Sequence, residues 1–219
     1  MRLVVPLVAP LLVVSILAQS ASGAELARPR VTLFGDSVAG ALAYHGKART
    51  TLAKGLDLRV DAKVCRRLAE PGCPYLGDRP PSVLSLVDKP AQPLGDVVVV
   101  DVGYNDDPSA YEDGIDRVMQ ALARQRVATV IWVTMQDKRA LYRTTNAAIR
   151  AAARRWPQIV VADWSAESRA RAAWFVDDGL HLSTAGALGL AKFLRPLVLA
   201  SSCTASCMRE RRIVDTGNA

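Results

Sequence analysis

Ser37 stands where a hydroxyl group could act as a nucleophile. It closes the run Gly35-Asp36-Ser37, which follows an apolar segment over 31–34 and precedes a second one over 38–42. The pattern predicts a turn from a buried strand into a helix, with the hydroxyl at the mouth of a sheet and the backbone N–H at a helix start. Serine is also a frequent helix N-cap, so capping is the competing structural interpretation.

A serine nucleophile needs a base, and the chain contains two histidines. His45 follows Ser37 on the same predicted helix, about 12 Å along its axis, so a surface or packing role is predicted for it. His181 lies far downstream and close after two acidic residues, Asp177 and Asp178. The spacing favours Asp178 as the carboxylate that orients the imidazole, although helix capping would also explain this loop.

Asn105 is the candidate donor to a developing negative charge, together with the backbone N–H of Ser37. It stands in the run Gly103-Tyr104-Asn105-Asp106, directly after an apolar strand. One such donor contributes roughly 3 kcal/mol of transition-state stabilisation. A plain turn is the alternative interpretation, since asparagine and aspartate are common turn residues.

The elements that would position these side chains alternate between strands and helices. This order predicts an α/β fold with an open, five-stranded parallel sheet and right-handed crossovers. The predicted strands cover 30–34, 56–64, 96–102, 127–133 and 159–162, and the predicted helices cover 38–54, 82–87, 109–126, 139–155, 165–173 and 183 to about 199.

The three candidate motifs all follow strands of this predicted sheet. Ser37 follows the first strand, Asn105 the third, and Asp178 and His181 the fifth. Ligands of open parallel sheets bind at the carboxyl ends of the strands. The topology therefore predicts that a hydroxyl, an amide, a carboxylate and an imidazole meet at one edge of the sheet.

These motifs, in this order and with these intervals, resemble the SGNH (GDSL-like) hydrolase family over about residues 30–199. The resemblance implies a flavodoxin-like three-layer sandwich and metal-free ester hydrolysis through an acyl-serine. It assigns Ser37 as nucleophile, His181 as base, Asp178 as the orienting acid and Asn105 as an oxyanion donor.

The sequence departs from the family pattern after the second strand. The family usually has a glycine there whose N–H completes the oxyanion hole, and Cys65 stands at that place, before Arg66 and Arg67. The resemblance implies that the backbone N–H of Cys65 is the remaining oxyanion donor. This stretch is similar to SGNH domains tied to acyl transfer on surface glycans, so an O-acyltransferase is the nearest alternative.

The four cysteines form an even set, which suggests disulfides in an exported protein. Of three possible connectivities, local pairing is predicted: Cys65–Cys73 and Cys203–Cys207. The spacings are poor for a zinc site. The sequence has no Gly-x-Gly-x-x-Gly or phosphate-loop motif, so no nucleotide cofactor is indicated.

The N-terminus has the pattern of a secretory signal peptide. A basic start and an apolar run of about 16 residues precede small residues near position 24, and this run is short for a membrane span. An uncleaved anchor is the alternative. The predicted organisation is a signal peptide over 1–24, a hydrolase domain over 25–200 and a tail over 201–219.

The net charge of +7 is spread along the chain without an aromatic-interleaved basic patch. This favours a generally basic surface, which could associate with an anionic cell envelope, over nucleic-acid binding. Trp132 is predicted in the core and Trp174 in a substrate groove.

Together these features predict a secreted serine esterase acting on O-acyl esters, acetyl among them, of a small molecule or glycan. A non-catalytic glycan-binding module and an envelope protein without a site remain alternatives. The sequence gives no oligomeric state.

Overall fold

Five parallel strands form one sheet in the order β2-β1-β3-β4-β5. The structure is a computed structural model that describes the backbone of residues 28–217 and the side chains up to residue 203, so the predicted signal peptide and the side chain of Cys207 lie outside the described residues. The predicted α/β fold with five parallel strands is confirmed. The strands are β1 (Arg30–Gly35), β2 (Asp57–Ala62), β3 (Val97–Asp101), β4 (Thr129–Val133) and β5 (Ile159–Ala162).

Helices pack on both faces of the sheet, which is why β3 and β4 are buried along their whole length. One layer contains α1 (Ala41–Tyr44), α2 (Gly46–Ala53) and α7 (Thr184–Gly217). The other contains α3 (Val83–Asp88), α4 (Tyr111–Arg124) and α5 (Ala140–Arg155). The short helix α6 (Trp164–Ser168) and a 3-10 turn (Ala172–Trp174) follow β5.

The single helix predicted over 38–54 is divided at His45. Its backbone is extended, with φ −96° and ψ 98°, so that α1 ends at Tyr44 and α2 begins at Gly46. Glycine is a poor helix former, and its position here fits the break. The residues at this break are Tyr44 and His45, and both line the cleft described below.

The last helix is longer than predicted. It continues from Thr184 to Gly217 and includes Pro196, whereas the sequence predicted an end near Leu199 and a tail. The physical reason lies in composition, because no glycine or second proline occurs between Pro196 and Gly217 to end the helix.

One of the two predicted disulfides is present. Cys65 is bonded to Cys73. Cys203 is exposed and has no disulfide partner among the described side chains. The side chain of Cys207 lies outside them, so the Cys203–Cys207 bond stays a prediction.

Within residues 28–217, no helix is long and apolar enough to cross a membrane.

Candidate active site

The structure brings the three predicted motifs together at the carboxyl edge of the sheet. Ser37 begins the turn that follows β1, Asn105 lies in the loop after β3, and His181 lies in the loop that leads into α7. Ser37, Asn105 and His181 line one open cleft of about 550 Å³.

Ser37, His181 and Asp178 form a continuous hydrogen-bonded chain. The Nε2 atom of His181 is 2.9 Å from Oγ of Ser37, and its Nδ1 atom is 2.6 Å from Oδ2 of Asp178. A carboxylate beside Nδ1 holds the proton on that nitrogen and leaves Nε2 free to accept the serine proton. This arrangement can activate the hydroxyl as a nucleophile.

Asp178 is itself held by the loop that carries His181. Its Oδ1 atom accepts the backbone N–H groups of Leu180 and His181 at 2.8 and 2.9 Å, and the turn passes through Gly179 at φ +64°. The hydrogen bond from His181, helped by these N–H groups, lowers the pKa of Asp178 to about 2. The carboxylate is therefore ionised at neutral pH, as an orienting acid requires.

Asp36 ties the nucleophile turn to the loop of Asn105. It is fully buried and accepts three backbone N–H groups, from Val38 at 3.0 Å, Gly103 at 3.3 Å and Tyr104 at 3.2 Å. Burial raises its pKa to about 6, although these hydrogen bonds act in the opposite direction. The sequence predicted no role for Asp36, although a charged residue between two apolar segments was a signal that it is buried and paired.

Asn105 is fixed by the segment that follows β2. Its side-chain Nδ2 atom donates to the backbone carbonyl of Arg66 at 3.3 Å. Its backbone carbonyl accepts a hydrogen bond from Nε of Arg67 at 2.9 Å. The next residue, Asp106, accepts the backbone N–H of Leu68 at 2.9 Å. An amide nitrogen carries two N–H groups, so one remains for a ligand in the cleft.

Cys65 occupies a backbone conformation that favours glycine. Its φ is +64°, in the left-handed region, where a side chain costs roughly 1–2 kcal/mol. This is the position at which the family resemblance implies a glycine. Cys65 lines the cleft with Ser37 and Asn105, and its bond to Cys73 anchors the following loop.

Arg66 is a buried arginine whose role the sequence analysis missed. Only 1% of its surface is exposed, and it donates to the carbonyls of Pro81 at 3.1 Å and Gly35 at 3.4 Å and to the Asp61 carboxylate at 2.9 Å. A buried guanidinium requires such partners. It joins the ends of β1 and β2 beneath the cleft.

His45 is a half-buried residue of the cleft wall, whereas Trp174 lies elsewhere than predicted. His45 lines the cleft, with Nδ1 3.4 Å from Oγ1 of Thr184, because the helix break places it there. Trp174 does not line it. Its ring stacks on Trp164 at 5.2 Å and packs against Gly189 of α7, while Trp132 is buried in the core as predicted.

Among the described residues, no group of three or more histidine, cysteine or acidic side chains could hold a metal ion.

No protein-family model matches this chain, and no curated protein sequence matches it either. Solved structures with the same fold include an acetyl esterase variant with an acetate ion, at 14% identity, a TM-score of 0.59, and coverage of 80% of this chain and 99% of that one. A carbohydrate acetylesterase family member from Sinorhizobium meliloti has 15% identity, a TM-score of 0.57, and coverage of 80% and 99%. A family 3 carbohydrate esterase from Clostridium thermocellum has 17% identity, a TM-score of 0.54, and coverage of 81% and 98%. At these identities the likeness establishes the fold.

Proposed function

We propose that this protein is a secreted serine esterase of the SGNH type, which hydrolyses short O-acyl esters of carbohydrates. The observation that carries the proposal is the hydrogen-bonded chain from Ser37 through His181 to Asp178, beside Asn105 and Cys65 in an open cleft. A hydroxyl, a base and a carboxylate in this order are the groups that acyl transfer through serine requires.

In the proposed first half-reaction, Oγ of Ser37 attacks the ester carbonyl while Nε2 of His181 takes the hydroxyl proton. The oxyanion accepts hydrogen bonds from the N–H groups of Ser37, Asn105 and Cys65. The C–O bond to the alcohol then breaks, and His181 returns the proton to the departing alkoxide. The products of this half are a free alcohol and an acyl-Ser37 ester.

In the second half-reaction, water replaces the alcohol. His181 removes a proton from the water as its oxygen attacks the acyl-serine carbonyl, and the same donors hold the second oxyanion. Its collapse releases the carboxylic acid, and His181 returns the proton to Ser37. Throughout, Asp178 stabilises the imidazolium.

Two observations support the substrate class and the location. Structures with this fold include proteins described as acetyl and carbohydrate esterases. The Cys65–Cys73 disulfide is typical of an oxidising compartment, in agreement with the N-terminal signal pattern.

Hydrolysis of p-nitrophenyl acetate by the Ser37→Ala and His181→Ala variants tests the proposal. Each change removes a reacting group, so we expect kcat to fall by about 10⁴ or more. Ser85→Ala is the matched control, because Ser85 is exposed on α3 in the other helical layer. Full activity in either active-site variant would reject the assignment.

An O-acyltransferase is the second candidate, and the Cys65-Arg66-Arg67 stretch favours it through its similarity to acyl-transferring SGNH domains. The same acyl-serine would then pass its acyl group to a sugar hydroxyl instead of water. Product analysis with and without added methyl glycoside separates the two, since a transferase forms more acylated glycoside than free acid.

A further inference from the structure

Two of the large apolar side chains that are exposed line the cleft. Among the described residues, the exposed large apolar side chains are Tyr44, Tyr75, Leu76, Leu141 and Val176. Tyr44 and Tyr75 line the cleft that contains Ser37, and Leu76 is next to Tyr75. Apolar side chains that group in this way around a cleft mark a binding surface.

The Tyr44 ring is seated against the nucleophile turn. A Cβ atom added at Gly40 would lie 3.1 Å from Cε2 of Tyr44 and 3.0 Å from the carbonyl oxygen of Ser37. Glycine at position 40 therefore leaves the space into which the ring fits. The residue is 73% exposed, so much of the ring is accessible to a ligand.

Tyr44 and His45 both line the cleft, and His45 contacts the start of α7, close to the loop of His181. His45 is 3.4 Å from Thr184, which follows His181 closely at the start of α7. The leaving alcohol takes its proton from Nε2 of His181, and proton transfer requires hydrogen-bond contact. The alcohol part of an ester in this cleft therefore extends along the wall formed by these residues.

The other wall of the cleft belongs to the oxyanion side. It contains Val64 and Cys65, and the disulfide to Cys73 brings Tyr75 close to them.

We propose that Tyr44 and His45 form the subsite for the alcohol part of the substrate, and that this part is a pyranose ring. The inference rests on the proposed esterase function. The ring of Tyr44 covers the C–H face of the sugar, and His45 hydrogen-bonds one of its hydroxyl groups. A sugar presents one apolar face and a rim of hydroxyls, which matches one aromatic surface beside polar groups.

A long-chain alcohol fits this wall less well. It would need a continuous apolar lining, whereas the cleft combines apolar residues with the polar side chains of His45, Asn105 and His181. Burying these polar groups against methylenes would leave them without hydrogen-bond partners, which is unfavourable. The chemistry of the wall thus favours a carbohydrate over a lipid alcohol.

The test compares two acetyl esters that differ in the alcohol. Acetylated xylobiose presents a pyranose, and vinyl acetate presents almost no leaving group to bind. We expect Tyr44→Ala to lower the ratio of kcat/KM for acetylated xylobiose to that for vinyl acetate by about tenfold, mainly through KM. Tyr44→Phe keeps the ring face and retains the ratio within about threefold. Leu141→Ala, at an exposed apolar position on α5, is the matched control and retains it fully.

A binding measurement makes the subsite testable without turnover. In the Ser37→Ala background, we expect titration calorimetry with unacetylated xylotriose to give a Kd about tenfold weaker after Tyr44→Ala. The absence of xylotriose binding, or an equal Kd with Ala and Tyr at position 44, overturns the subsite. An equal kinetic ratio in the wild type and Tyr44→Ala overturns it as well and leaves the esterase function intact. Wild-type protein that binds xylotriose through Tyr44 but cleaves neither ester overturns the esterase function alone.

Discussion

Asp101 is a buried carboxyl group that the proposed chemistry does not use. It ends β3 opposite Gly35 of β1, beside Asp36, and only 3% of the residue is exposed. Its Oδ2 atom has no hydrogen-bond partner among the described residues. Burial, and then the charge of Asp36, raise its pKa to about 8. At neutral pH Asp101 is therefore mainly protonated, which limits the charge beneath the site.

The raised pKa of Asp101 predicts that stability falls as the pH rises. An unfolded carboxyl releases its proton near pH 4, whereas the folded one keeps it up to about pH 8. Between these values a higher pH favours the unfolded state, by at most about 1.4 kcal/mol per pH unit. We expect Asp101→Asn to reduce the loss of unfolding free energy between pH 5 and pH 8, measured by urea denaturation.

The control for this prediction is Asp113→Asn, because Asp113 is an exposed carboxylate on α4. The unfolding free energy of the Asp113→Asn variant should change with pH as that of the wild type does. If Asp101→Asn loses as much stability as the wild type over this range, Asp101 is ionised in the folded protein and the prediction is wrong.

Among single residues, the sequence predicted the side chains that come together at the cleft, but not the buried side chains that support them. Ser37, Asn105, Asp178 and His181 were recognisable from their types and from the strands they follow. Besides the nearby Asp61 carboxylate, the partners of the buried Arg66 are the carbonyls of Pro81 and Gly35, which lie 15 and 31 positions away along the chain. No local pattern encodes such long-range partners, so their roles required the structure.

The element that most constrains the cleft is the loop that the disulfide closes. Cys65 enters it at φ +64°, and the backbone N–H of Cys73 donates to the Cys65 carbonyl at 3.1 Å. The strained residue is thus fixed both covalently and by a hydrogen bond.

Two double variants separate backbone strain from the cross-link. Both contain Cys73→Ser, and position 65 is changed to Gly in one and to Ala in the other. Without the disulfide, we expect the Gly variant to be more stable by about 1 kcal/mol, because only glycine adopts a positive φ without strain. Chemical denaturation measures the difference.

Loss of the cross-link itself should cost both variants roughly 2–4 kcal/mol relative to wild type. Equal stability of the Gly and Ala variants would mean that this backbone relaxes once the bond is removed, which contradicts a conformation imposed by the fold.

Element types followed from the sequence better than element ends did. The apolar runs fixed all five strands within a few residues, because buried parallel strands have a clear composition. The break at His45 and the length of α7 were missed. The break depends on the weak helix preference of a single glycine, and the length of α7 depends on the absence of a residue that ends the helix. A small energy difference therefore decides each of them.

The whole molecule is basic, with 28 lysine and arginine residues against 21 acidic ones. Several arginines are paired at the surface, for example Arg30 with Asp57 and Arg124 with Asp88, and such exposed pairs contribute little stability. The surplus positive charge is therefore a property of the exterior and bears on association with other molecules.

This surplus predicts salt-sensitive retention on an anionic polysaccharide. We expect the protein to bind polygalacturonate at 20 mM NaCl and to lose at least tenfold in affinity at 300 mM, because the added ions screen the charges. Neutral mannan is the control and should not retain it at either concentration. Retention on polygalacturonate that does not change with salt would contradict a charge-driven association.

The contact between Ser37 and His181 also ties the reactivity of the serine to complete folding of the chain. Ser37 and His181 are separated by 144 positions along the chain and are in contact in the folded protein, where α7 packs against α1 and α2. An unfinished or clipped polypeptide that lacks the C-terminal quarter keeps the hydroxyl but has no imidazole beside it. Under the proposed mechanism, stoichiometric labelling by an organophosphate therefore counts correctly matured molecules in any preparation, and ignores the rest.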